Sequence, residues 1–140
     1  MENSAMSVKM MTRLRELGVE LSLDDFGTGY SSLSYLHRLP VNYLKIDRSF
    51  VSRMTESTEN GEIVNTIIKL AQSLKMKVIA EGIETADQLA QLKRLNCEYG
   101  QGYFFSKPLE AEAAKLFIDE ITINSPLHIN EPIINLELNM

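Results

Sequence analysis

The sequence predicts an α/β protein in which about four parallel strands alternate with helices. Three observations carry this reading. Apolar residues recur at helical spacing in several segments, short aliphatic runs lie between those segments, and the two kinds alternate along the chain. Alternation of this kind implies a parallel sheet with crossover helices, either an open doubly wound sheet or part of a (β/α) barrel.

Met6, Met10, Met11, Leu14 and Leu17 fall on one helix face, and Gly18 stands where a helix ends. VELSLDDF follows as the first strand. Ser31 and Ser32 suit the cap of a short helix that Pro40 must end. NYLKID is the second strand. Asn60-Gly61 reads as a loop, after which Val64, Ile67, Ile68, Ala71 and Leu74 form an apolar helix face. KVIAEGI is the third strand, and Thr85 with Gln88 makes a capping box for a helix carrying Leu89, Leu92 and Leu95. GQGYFFSKP is a fourth extended piece, with Pro108 opening a last helix through Leu109, Ala113, Leu116 and Phe117. From about residue 120 to 140 no period is evident, and this stretch reads as a tail.

The chain has 140 residues and a net charge of −5, which argues against bulk attraction to nucleic acid or an anionic membrane surface. One cysteine, Cys97, excludes an internal disulfide and fits a reducing compartment, so cytoplasm is the expected location. No apolar run is long enough to span a bilayer, and no membrane partner is expected.

In alternating β/α folds the site gathers at the carboxyl ends of the strands. Here those ends carry Asp24-Asp25, then Lys45 and Asp47, then Glu81 and Glu84, then Gln101. Strand alternation sets Leu44 and Ile46 on one face, with Lys45 and Asp47 on the other, and Asp24 joins the polar side. Carboxylates converging around one lysine suit Mg²⁺ or Mn²⁺, which prefer hard oxygen ligands. Taken singly, each feature has a plainer reading. Adjacent acids are common in solvated turns, Lys45 alone would be a surface lysine, and Gly27-Thr28-Gly29 lacks the rest of a nucleotide-binding loop.

Together, DDFGTGYSSLSYL, LKIDRSFV, VIAEGIET and QGYFFSKP resemble, in order and spacing, the C-terminal half of the EAL domain. The resemblance implies a metal-dependent phosphodiesterase lineage that cuts cyclic di-GMP to linear pGpG on a modified (β/α) TIM-like barrel. It covers residues 1–119 and leaves 120–140 as a tail outside it. By this resemblance Asp24, Asp25 and Glu81 match metal ligands for Mg²⁺ or Mn²⁺. Lys45 matches the lysine that orients and polarises the attacking water, and Gln101 matches a glutamine near the metal-water cluster. Phe26, Gly27, Thr28, Gly29, Tyr30, Ser31 and Ser32 match the loop joining the metal site to the dimer interface, with Glu84 as its anchor. Asp47 and Pro108 match positions close to the substrate.

The family pattern also requires the glutamate of a Glu-Ala-Leu signature, an asparagine and a further glutamate from earlier strands. The chain holds no Glu-Ala-Leu run. The resemblance therefore implies half a barrel, with two open edges and an uncovered inner face, that binds metal weakly and is impaired in hydrolysis alone. Self-association, or pairing with an N-terminal EAL half, would cover it. A non-catalytic interaction module is the alternative. A receiver-like phosphoacceptor is disfavoured, because Lys45 precedes Asp47 on the same strand instead of lying on a later one.

Overall fold

The computed structural model of the chain describes residues 2–27 and 36–124, the side chains of 2–5 and 121–124 apart. The order is α1 (Glu2–Glu16), β1 (Ser22–Phe26), β2 (Tyr43–Ile46), α2 (Arg48–Arg53), α3 (Thr58–Ser73), β3 (Lys77–Ala80), α4 (Ala86–Arg94), β4 (Tyr99–Gly100) and α5 (Ala111–Asn124). The strands form one sheet in the order β1-β2-β3-β4, every neighbouring pair parallel. The chain divides into two compact units, Met1–Phe105 and Ser106–Met140. The first holds the sheet, and the second holds α5, whose first turn closes with Ala114 N donating to Glu110 O.

The strands alternate as their sequence requires. Leu44 and Ile46 of β2 and Val78 and Ala80 of β3 are fully buried, and they join Val64, Ile67, Ile68 and Ala71 of α3 in one apolar core. Burial of the larger aliphatic side chains in this set contributes roughly 1.5–3 kcal/mol each. The opposite face carries Tyr43 and Lys45 from β2 and Lys77 and Ile79 from β3, in the register Tyr43↔Lys77 and Lys45↔Ile79. The centre of this face is not bare as expected: Tyr43, Lys45 and Ile79 are all buried.

Local chemistry sets the helix ends. Ser57 caps α3 by accepting from Asn60 N, and Thr85 and Gln88 form the expected capping box at α4. Several boundaries differ from the sequence reading. Asn60 and Gly61 lie inside the first turn of α3 and do not form a loop. Gly61 is buried, and a Cβ there would meet Gln91 Nε2 at 2.6 Å and Met54 O at 3.2 Å, so close packing uses the glycine. Helix α2 is an addition, started by Asp47. The fourth strand is only Tyr99–Gly100. Just beyond it Gly102 packs against the Ile83 backbone, where a Cβ would come within 2.2 Å of the carbonyl oxygen. Helix α5 begins three residues after Pro108, with Glu110 supplying its first acceptor. The start expected for a short helix at Ser31 and Ser32 lies outside the described residues.

Candidate metal centre

The adjacent acids pose a geometric problem, because neighbours on a regular strand point to opposite faces. A β-bulge in β1 solves it. Leu23 pairs with Leu44 and Phe26 with Ile46, so three steps on β1 face two on β2. Asp25 takes up the extra residue with φ +49°, in the left-handed region that few non-glycine residues occupy. Asp25 N donates to Asp24 Oδ1 at 2.9 Å, and Phe26 returns to the core. The chain then leaves the strand through Gly27 at φ +103°, where a Cβ would lie 2.5 Å from the Phe50 ring. The bulge thus turns two consecutive carboxylates toward one place.

That place is where β1, β2 and β3 end. Carboxylate oxygens of Asp24, Asp25 and Glu81 lie within 4.8 Å of one another. Lys45 Nζ sits among them, 3.1 Å from Asp24 Oδ1, 3.2 Å from Asp24 Oδ2 and 2.5 Å from Glu81 Oε1. Gln101 Nε2 donates to the same Glu81 oxygen at 3.1 Å. Burial alone would lower the Lys45 pKa, but hydrogen bonds to Glu81 and Asp24 outweigh it and hold the ammonium above its ordinary value. The lysine is therefore charged at neutral pH. Among the described residues no buried side-chain nitrogen or oxygen lacks a hydrogen-bond partner.

Three carboxylates form a hard-oxygen donor set of the kind a divalent cation such as Mg²⁺ or Mn²⁺ prefers. Among the described residues no soft ligand joins the cluster; Cys97 is held at the other end of the sheet, where Sγ lies 3.3 Å from Tyr99 O.

The remaining candidates divide. Glu84 pairs with Arg48 through a 2.7 Å contact, and its own N–H is held by Gln88 Oε1 at 2.8 Å. Asp47 is not gathered into the cluster. Its Oδ1 accepts from Ser49 N at 2.9 Å and from Ser49 Oγ at 2.5 Å, capping α2. These bonds to Ser49 hold its carboxyl below the usual range. Thr28, Gly29, Tyr30, Ser31 and Ser32 lie outside the described residues, and Pro108 belongs to the second unit. Two features escaped the sequence reading. The bulge left no signal in residue type, and the Arg48–Glu84 pair joins segments 36 residues apart.

Residues 1–108 match the EAL domain family. The chain belongs to that family, and its four parallel strands and intervening helices are the C-terminal half of a TIM-like barrel. A cyclic di-GMP phosphodiesterase of Pseudomonas aeruginosa, NbdA, is 52% identical over 118 residues, which are 84% of this chain and 15% of that protein. A probable cyclic di-GMP phosphodiesterase of Escherichia coli, PdeB, is 49% identical over 106 residues, 76% of this chain and 20% of that one.

Among solved structures, the PaMucR phosphodiesterase in complex with c-di-GMP superposes with a TM-score of 0.75 at 42% identity, covering 81% of this chain and 46% of that one. The EAL domain of Mycobacterium smegmatis DcpA gives 0.77 at 39% identity, covering 83% and 52%. The chain thus spans about a sixth of these curated relatives and about half of these solved chains. Among the described residues no helix is long and apolar enough to cross a membrane.

Proposed function

We propose that this chain carries one metal position and the water-orienting lysine of a cyclic di-GMP phosphodiesterase site. The convergence of Asp24, Asp25 and Glu81 around Lys45 supports this most strongly. Asp24, Asp25 and Glu81 would hold Mg²⁺ or Mn²⁺. The bound ion would supply Lewis-acid stabilisation of charge on the phosphodiester oxygens. Lys45 would hold the attacking water by a hydrogen bond from Nζ and favour its loss of a proton. Gln101 would keep Glu81 in place through the amide contact it already makes. Glu84, tied to Arg48, would anchor the loop of residues 26–32. The reading assigns residues 1–119 to the EAL portion, and the matched span of 1–108 supports this.

Hydrolysis by two ions needs ligands for both. The 140-residue chain contains no Glu-Ala-Leu glutamate to serve the second position, so alone it would turn over cyclic di-GMP poorly or not at all. Its apolar surface favours pairing: on α1, Met6 and Met10 are 73% and 66% exposed, and Leu17 beyond it is 76% exposed. Pairing with a second copy would repeat the same half-site, whereas an N-terminal EAL half would complete it. A non-catalytic interaction module is the second reading, favoured by the same surface. A free thiol at Cys97 supports a reducing, cytoplasmic setting.

Hydrolysis of cyclic di-GMP with Mg²⁺ or Mn²⁺ tests this. The purified chain is expected to yield little pGpG alone, and to yield it when an N-terminal EAL half is supplied. Turnover should disappear in Lys45→Ala. Failure to turn over in the complemented mixture, with both halves folded and associated, would favour the interaction module.

A further inference from the structure

We propose that Lys45 is the resident counter-ion of the carboxylate cluster, and that a divalent cation enters only as the Lys45 ammonium gives up its contacts with Asp24 and Glu81. The inference rests on the metal reading above and concerns what opposes the metal. Lys45 Nζ touches both oxygens of Asp24 and Oε1 of Glu81, atoms that a metal would also need. Glu81 Oε1 already accepts from Gln101 as well, and Asp24 Oδ1 from Asp25 N. The lysine side chain is only 6% exposed and Glu81 15%, so water screens this pair little.

A divalent cation ligated by these oxygens would stand a few ångströms from the ammonium. Even at the dielectric constant of bulk water, repulsion between a single and a double charge at such range is worth about a factor of ten in affinity or more. In the metal-free protein the lysine neutralises acids that would otherwise repel one another across the bulge. The same contact sets an electrostatic cost on loading. Lys45 thus holds the cluster together and weakens its hold on metal, a role separate from orienting water.

The test is a calorimetric titration with Mn²⁺ alone, on the full chain and on Lys45→Met, with circular dichroism to establish folding. The account expects Lys45→Met to bind Mn²⁺ about tenfold more tightly or better. Equal or weaker binding by a folded variant overturns the counter-ion role and leaves the metal site standing. Absence of binding to either protein overturns the metal reading and the counter-ion role with it. Should the variant not fold, the wild-type chain gives the answer by nuclear magnetic resonance of lysine Nζ groups during Mg²⁺ titration. The Lys45 signal is expected to move while that of Lys77, at the opposite end of the strands, stays still. A stationary Lys45 signal while Mg²⁺ binds would overturn the proposal.

Discussion

Both ends of the sheet's polar face are organised around one lysine, and the two lysines live differently. At the carboxyl end, Lys45 is buried among the carboxylates of Asp24 and Glu81. At the amino end, Lys77 is exposed, 5.8 and 5.6 Å from the ring centroids of Tyr43 and Tyr99 and 3.3 Å from the Tyr99 hydroxyl. Tyr43 in turn donates to Glu20 Oε2 at 2.9 Å, and the two rings meet edge to face. One end concentrates full charges beside a strained bulge. The other uses phenols, a cation over aromatic rings and a regular ladder. The difference separates a concentration of full charges from an aromatic packing arrangement.

The amino end should be chemically quiet, and Cys97 reports on it with the largest expected effect. Burial raises its thiol to about 12 from an ordinary 9.0. Native Cys97 should then react with iodoacetamide at pH 8 about a thousandfold more slowly than a free thiol, by loss of thiolate. Burial of the thiol also ties stability to pH. Because the folded pKa is raised, this contribution is complete below about pH 9 and is lost as pH rises toward 12. Denaturant midpoints measured from pH 8 to 11 would show the decline in the wild type and remove the Cys97 part of it in Cys97→Ala.

At the carboxyl end, Glu81→Gln should reduce Mn²⁺ affinity by about a hundredfold, read by calorimetry, because it removes one of three carboxylates. Lys77→Ala should leave that affinity unchanged. The same two lysines should differ in stability. Lys45→Ala should cost about 2 kcal/mol in a urea titration, less than a fully buried pair because Asp24 is 58% exposed. Lys77→Ala should cost under about 0.5 kcal/mol, as exposed contacts do. A smaller effect isolates the bulge. Asp25→Gly removes a ligand while suiting the positive φ, so stability should stay within about 1 kcal/mol of wild type as metal affinity falls.

What could be read from the sequence followed physical locality. Thr85 and Gln88 stand three residues apart and each side chain accepts from the other's backbone N–H, so the cap of α4 was legible. Leu44 and Ile46 against Lys45 state the two faces of β2 directly. Asp47 lies just beyond that strand, where alternation ends, and its short side chain reaches the α2 backbone. Asn60-Gly61 carries a turn signal that packing against Met54 and Gln91 overrides. The bulge was invisible for a different reason. Its register depends on where β2 sits beside β1, a tertiary relation that residue types do not encode, and yet it is what lets Asp24 and Asp25 act together.

Asp24 and Asp25, turned together by this bulge, are proposed to hold a divalent cation with Glu81. An anomalous difference map at the manganese edge, from crystals of the chain grown with Mn²⁺, tests it most directly. The account predicts a peak ligated by Asp24, Asp25 and Glu81 with Lys45 Nζ moved away from it. Manganese bound elsewhere, with Lys45 still seated between Asp24 and Glu81, would contradict it.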